Sequence, residues 1–149
     1  MGGDGGGTAL RVVILGAGGH AAVVVDSLLE AGEHELAACL GESGEETILG
    51  VPVLPAETDP RTLGAEGVFV AVGDNGRRKR LMEEAAGMGL TMVNAVHPRA
   101  VVSRFAVLGT GVAVMAGAVV NARSVIGAGC IVNTGASVDH DCRVGAYAH

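Results

Sequence analysis

From Val96 to Val144 an aliphatic side chain recurs at every sixth residue: Val96, Val102, Leu108, Val114, Val120, Ile126, Val132, Val138 and Val144. Two positions before each, from Val102 onward, stand Ala100, Ala106, Val112, Ala118, Ser124, Cys130, Ala136 and Cys142. Residues two apart on a strand share a face, so both members of each pair point inward. The three positions after the aliphatic residue must then turn the chain. Gly109, Gly127 and Gly145 stand directly after it, and Gly111, Gly117, Gly129 and Gly135 three after it. This period is the signature of a hexapeptide-repeat parallel β-helix. The first glycine set is spaced by 18 residues, so one coil is three hexapeptides. Residues 94–149 then make about three coils, with the last unfinished at His149. An unfinished coil leaves open strand edges. We therefore expect a fragment of a longer protein, or an end covered by a partner.

Ahead of the repeat the pattern changes. Residues 10–15 read as an apolar strand, closed by Gly16-Ala17-Gly18-Gly19-His20. Residues 21–31 read as a helix that Gly32 ends. A second strand is expected at 36–40, an acidic loop at 41–50 and a short edge strand at 51–54, interrupted by Pro52. A third strand at 68–72 is closed by Gly73-Asp74-Asn75-Gly76, followed by a helix at 77–88 and a strand at 91–93. This alternation implies a parallel sheet. The expected organisation is a tail at 1–9, a Rossmann-like α/β domain at 10–93 and the β-helix at 94–149.

Composition narrows the picture. The chain of 149 residues is 49% hydrophobic but 2% aromatic, with 25 glycines and no Trp, which suits an interior of Val, Ile and Ala. A net charge of −6 argues against non-specific nucleic-acid binding. No apolar run is long enough to span a membrane, and the Gly-rich start lacks the features of a signal peptide. Three cysteines without a secretory signal suggest a reduced, cytoplasmic protein. Cys130 and Cys142 fall at the inward repeat position and are expected to be buried thiols.

Three places carry candidate chemistry. The first is Gly16-Ala17-Gly18-Gly19-His20-Ala21, a glycine-rich turn between a strand and a helix. Backbone N–H groups there favour a phosphate. The dinucleotide reading also wants an acid at the end of strand two, where this chain has Leu40-Gly41-Glu42. A nucleotide phosphate and a plain tight turn both fit, and His20 is a ligand contact or a first-turn surface residue. The second place is Gly73-Asp74-Asn75, on the same carboxyl edge, with Asp74 a ligand contact or a helix N-cap. The charged run Arg77-Arg78-Lys79-Arg80 after it reads as a solvated helix face, or as one that sends a single cation to a phosphate. The third is Val138-Asp139-His140-Asp141-Cys142, which puts His140 and Asp141 outward on one corner. A carboxylate-oriented histidine is the usual general base at neutral pH, although exposed polar corners are also ordinary. Asn133 lies on the preceding corner, about 15–20 Å from His140 at ~3.3 Å per residue. The two share a small substrate only if another subunit supplies one of them. No zinc-ligand spacing joins the five histidines, so no metal is expected.

Four segments carry a resemblance: VILGAGGH at 13–20, VAVGDN at 70–75, HPRAVVS at 97–103 and NTGASVDHDC at 133–142. In this order they resemble the bacterial sugar acetyltransferases of the hexapeptide-repeat superfamily. These are the sialic-acid O-acetyltransferases and the UDP-4-amino-sugar N-acetyltransferases of the bacillosamine and perosamine kind. The resemblance implies a left-handed β-helix and a homotrimer that binds acetyl-CoA between neighbouring β-helices. It implies His140 as general base with Asp141 orienting it, Asn133 at the acceptor, and His149 at the acetyl-CoA end. It also implies that the Rossmann-like domain holds a nucleotide sugar through Gly16, Gly18, Gly19 and His20 and through Gly73, Asp74 and Asn75. Where the family has an Asp-Asp pair after strand two, this chain has Gly41-Glu42. The family also continues for several coils that carry much of the coenzyme site. The expected function is acetyl transfer from acetyl-CoA to a sugar amine or hydroxyl, without a metal. The alternatives are a sialic-acid O-acetyltransferase, a non-catalytic nucleotide-sugar-binding or scaffold fragment, and an NAD-dependent oxidoreductase.

Overall fold

The computed structural model describes residues 8–149, so the expected flexible tail falls mostly on residues 1–7, outside the described residues. A six-stranded sheet is followed by a three-sided β-helix. The sheet strands are β1 (Arg11–Leu15), β2 (Glu35–Leu40), β3 (Thr47–Ile48), β4 (Val51–Leu54), β5 (Gly67–Val70) and β6 (Thr91–Met92), in the order β3-β4-β2-β1-β5-β6. All neighbours are parallel except β3 and β4. After Arg11 the central strand β1 is apolar, because both of its faces are covered. Val12 and Ile14 face helix α1 (Gly19–Ala31), while Val13 packs with Ala38 and Leu40 on the other face.

The sequence reading needs three corrections or additions here. The acidic loop at 41–50 contains β3, which pairs with β4 through a tight turn at Leu49 and Gly50, both at positive φ. The 51–54 strand is thus second from the edge. A 3-10 turn, Pro60–Leu63, lies between β4 and β5, started by an Asp59 cap and ended by Gly64. The third correction concerns helix α2 (Asn75–Gly87). Its charged run is not wholly solvated: Arg78 is 1% exposed and lines up with buried Met82 and Ala85 on the inner face.

The β-helix keeps the period read from the sequence. Its first face stacks β7 (Ala95–Val96), β10 (Ala113–Val114) and β13 (Ile131–Val132). The second stacks β8 (Val101–Val102), β11 (Val119–Val120) and β14 (Ser137–Val138), and the third β9 (Val107–Leu108), β12 (Val125–Ile126) and β15 (Arg143–Val144). Partners are 18 residues apart, as in Val114↔Val132 and Val120↔Val138. Val112, Val114, Ala118, Val120, Ile126, Cys130 and Val132 fill the interior. Cys130 is buried as expected, whereas Cys142 is half-buried. Outward Ala95, Ala113 and Ile131 of the first face join the core of the sheet domain, beneath α1. The other two faces expose Val101 and Val107, 62% and 58% exposed, and the corner between them exposes Phe105, at 62%.

From Gly111 onward the corners repeat one backbone shape, which Arg99 and Phe105 on the first coil do not adopt. The residue three after the aliphatic position is left-handed at Gly111, Gly117, Arg123, Gly129, Gly135, Asp141 and Tyr147, with φ between 59° and 72°. Four are glycine and three are not.

Candidate active site

The glycine turn after β1 is closed from both sides. Gly16 N–H donates to the Leu40 carbonyl at 2.8 Å, and a Cβ on Gly16 would lie 2.4 Å from the Ala71 oxygen. Gly18 caps α1 without a side-chain bond, so the first-turn N–H groups stay free to take an anion. Gly16, Gly18, Gly19, His20, Gly41, Glu42 and Gly73 line one crevice of about 360 Å³. A second cavity of about 340 Å³ shares Gly16, Leu40, Val72 and Arg77 with it and runs between residues 56–60 and α2. Asp74 and Asn75 are committed elsewhere. The Asp74 carboxylate accepts from Arg77 N–H at 2.7 Å and caps α2, and Asn75 Oδ1 accepts from Arg78 at 2.9 Å.

Arg78 joins the two domains. Its Nε donates to the Gly129 carbonyl at 2.7 Å and its Nη2 to the Tyr147 carbonyl at 2.9 Å, both on one β-helix corner. Its Nη1 donates to the carbonyls of Val72 at 2.9 Å and Gly73 at 3.1 Å, on the crevice loop. Burial pulls its pKa down, and nearby Asp74 acts against this. The sequence reading missed this residue. The signal was the spacing of Arg78, Met82 and Ala85, which is one helical stripe.

His149 stands beside this junction. Its ring lies 6.4 Å from that of His20 between centroids, and its Nε2 is 3.4 Å from Asn133 Nδ2. Asn133, His149, His20 and the crevice therefore gather on the side of the first face. His20 Nε2 is covered and has no hydrogen-bond partner among the described residues. Burial first, then His149 and Arg78, lower the His20 pKa, so its neutral form is favoured. A neutral imidazole with an unused nitrogen is suited to a polar ligand in the crevice.

His140 and Asp141 lie on the corner between the second and third faces, away from that gathering. His140 Nδ1 is 2.6 Å from Asp141 Oδ2, and the His140 side chain is 75% exposed. Arg123, one coil below, donates from Nη2 to the same oxygen at 2.7 Å. The bonds from His140 and then Arg123 hold the Asp141 carboxyl below its ordinary pKa, so it stays a carboxylate. Within one chain the structure does not bring His140 to the crevice. Among the described residues no group of three or more His, Cys, Asp or Glu is placed to hold a metal.

Comparison with known proteins agrees with this architecture. Residues 11–85, half of the chain, match the PglD N-terminal domain family. A UDP-N-acetylbacillosamine N-acetyltransferase of Bacillus subtilis (strain 168) is 40% identical over 114 residues, which are 71% of this chain and 51% of that protein. The chain thus spans about half the length of this curated relative. Among solved structures, a histidine-to-asparagine mutant of perosamine N-acetyltransferase from Caulobacter crescentus, in complex with CoA and GDP-perosamine, superposes with a TM-score of 0.86. It is 48% identical, over 93% of this chain and 69% of that one. The acetyltransferase domain of PglB from Neisseria gonorrhoeae FA1090, in complex with acetyl coenzyme A, gives 0.83 at 36% identity, over 93% and 69%. Family match and fold agree, and the chain belongs to the PglD-type family of bacterial sugar acetyltransferases.

Proposed function

We propose that this chain moves an acetyl group from acetyl-CoA to the amino group of a nucleotide-linked sugar, with His140 as general base. The observation that carries the reading is the His140–Asp141 bond on an outward β-helix corner in a chain of this family. With Nδ1 turned to Asp141, Nε2 is left to take the proton. The acceptor nitrogen attacks the thioester carbonyl carbon as its proton passes to His140. The tetrahedral intermediate then re-forms the carbonyl, the C–S bond breaks, and the thiolate takes the proton back from the imidazolium. Asp141, held as a carboxylate, stabilises that imidazolium.

The donor is supported by neighbours solved with CoA or acetyl coenzyme A, and the acceptor class by the GDP-perosamine complex and the name of the Bacillus relative. The α1 N-terminus supports a diphosphate over Gly18 and Gly19, with His20 and Gly73 beside it. His149 and Asn133 are assigned to the acetyl-CoA and acceptor sides of the junction.

A homotrimer completes the site in this reading. His140 and the crevice sit on different sides of one chain, and apolar surface is left by Val101 and Val107 on the faces flanking the His140 corner and by Phe105 on that corner. No helix among the described residues is long and apolar enough to cross a membrane. We place the enzyme in the cytoplasm, which suits three free cysteines and both substrates.

The test is thiol release from acetyl-CoA with a GDP-linked 4-amino sugar, a UDP-linked 4-amino sugar and sialic acid as acceptors. Turnover is expected with an amino sugar, and His140→Ala should lower it by ~10²–10⁴-fold. Near-full turnover by His140→Ala would remove the base assignment. Turnover with sialic acid alone would favour O-acetylation. Nucleotide-sugar binding in calorimetry with no thiol release would favour a non-catalytic binding protein.

A further inference from the structure

We propose that Arg123 is a positioning residue for acetyl transfer, holding Asp141 in the orientation in which Asp141 holds His140. The inference rests on His140 being the base. Arg123 precedes Asp141 by one coil, on the same corner. The Asp141 N–H donates to the Ala122 carbonyl at 3.1 Å, so the two turns are stacked by their backbones. Through side chains the link closes on one atom: Asp141 Oδ2 receives Arg123 Nη2 at 2.7 Å and His140 Nδ1 at 2.6 Å. An exposed carboxylate bonded to a single imidazole is free to swing. One pinned from below by a guanidinium is not.

The backbone gives a second, independent observation. Arg123 and Asp141 sit at φ 64° and 59°, in the left-handed region that disfavours any side chain with a Cβ. Four equivalent places, Gly111, Gly117, Gly129 and Gly135, use glycine. This corner carries two side chains in a disfavoured conformation, stacked on each other and bonded to each other. Such strain persists where the surrounding contacts over-determine it, and it clusters at functional sites.

Arg123 acts on the base in two ways. It fixes the carboxylate, and its positive charge offsets part of the carboxylate's pull on the imidazolium. The charged groups stacked at this corner or flanking it are Asp139 and Asp141 on His140's own turn, Arg123 below them, Arg104 a further coil below, and Arg143 on β15. Of these, Arg123 and Asp141 are the two joined to the His140 bond. Without Arg123 the protonated imidazole gains stability, so the acid limb of the rate profile moves to higher pH.

The decisive variant is Arg123→Gly, because the corner backbone already accepts glycine at four equivalent places. Arg123→Lys and His140→Ala accompany it, all measured on the full chain with an acceptor that the parent turns over. Arg123→Gly should melt near the parent temperature and keep both KM values within about twofold, with kcat falling about tenfold as orientation is lost. The acid limb of kcat/KM should rise by roughly half a pH unit or more, and by less in high salt. Arg123→Lys, which keeps the charge, should restore the limb and part of kcat. A parent-like kcat and limb in Arg123→Gly, with His140→Ala inactive, overturns the proposal and leaves the base assignment standing. A change confined to KM or melting temperature also overturns it. An active His140→Ala removes the base reading itself.

Discussion

Arg78→Met removes the junction between the two domains and keeps most of the side-chain volume. The guanidinium donates five hydrogen bonds, to the carbonyls of Gly129, Val72, Gly73 and Tyr147 and to Asn75 Oδ1. A buried acceptor left without its donor costs about 1–3 kcal/mol. Gly129 is buried, Val72 and Tyr147 are half-buried, and Gly73 and Asn75 are open to water. The Gly129 carbonyl therefore carries the full cost and the half-buried pair a fraction each, together about 3–5 kcal/mol. Methionine relieves the burden of a buried charge, which offsets roughly 1–2 kcal/mol. The net expected loss is about 3 kcal/mol, a large share of an ordinary domain's stability. The assay follows from composition. The chain has one tyrosine and no tryptophan, so fluorescence reports Tyr147 alone, whose carbonyl accepts from Arg78. In urea the parent should show coincident fluorescence and circular dichroism transitions. In Arg78→Met the tyrosine transition should come first, and the KM for the nucleotide sugar should rise as residues 72–75 loosen. A variant within ~0.5 kcal/mol of the parent, with coincident transitions, would refute the junction role.

Four further outcomes follow. Asp141→Asn keeps the fold, since asparagine tolerates the left-handed backbone, yet should lower kcat at least about tenfold and shift the acid limb of kcat/KM to lower pH. His20 has a lowered pKa in the folded state, so the unfolded chain takes up its proton first. Stability from this residue is full above the ordinary histidine range and falls as pH drops below about 6.5. Melting curves between pH 7 and 5.5 should show the loss, and His20→Gln should remove it; Asp141, also lowered, acts only below the ordinary carboxylate range. Gly16→Ala drives a Cβ against the Ala71 oxygen at φ 129° and should cost about 1–3 kcal/mol in urea unfolding, with loss of nucleotide-sugar binding in calorimetry. Val107→Asp, on a free β-helix face, should reduce the assembly measured by light scattering and lower turnover with it.

Much of this was legible in the chain. The six-residue period located the strands of the β-helix because each coil repeats one inward pair. The glycine turns located the carboxyl edge of the sheet, since Gly16 alone permits the approach of Ala71. Harder to read were features set by contact between distant segments. The β3–β4 hairpin turns on Leu49 and Gly50, where leucine at positive φ gives no turn signal. Arg78 looked like one of four solvated charges, because only the packing of α2 on the 129 and 147 corner decides which one is buried. Arg123 drew no notice because its partner is 18 residues away and the corner between them appears only once the coil is closed.

The exceptions to the repeat carry more information than the repeat itself. Three after each aliphatic position the backbone is left-handed at every corner from Gly111 to Tyr147, so glycine is the default and any other residue has a cost. The three departures each hold a contact on which the site depends. Arg123 pins Asp141, Asp141 holds His140, and Tyr147 lays its ring over Gly129 on the corner that Arg78 binds. The first two sit on the corner of the proposed base, the third at the domain junction beside His149. A left-handed corner that only turns the chain has no reason to give up glycine, so these substitutions mark where the coil serves transfer chemistry and domain registration as well as folding.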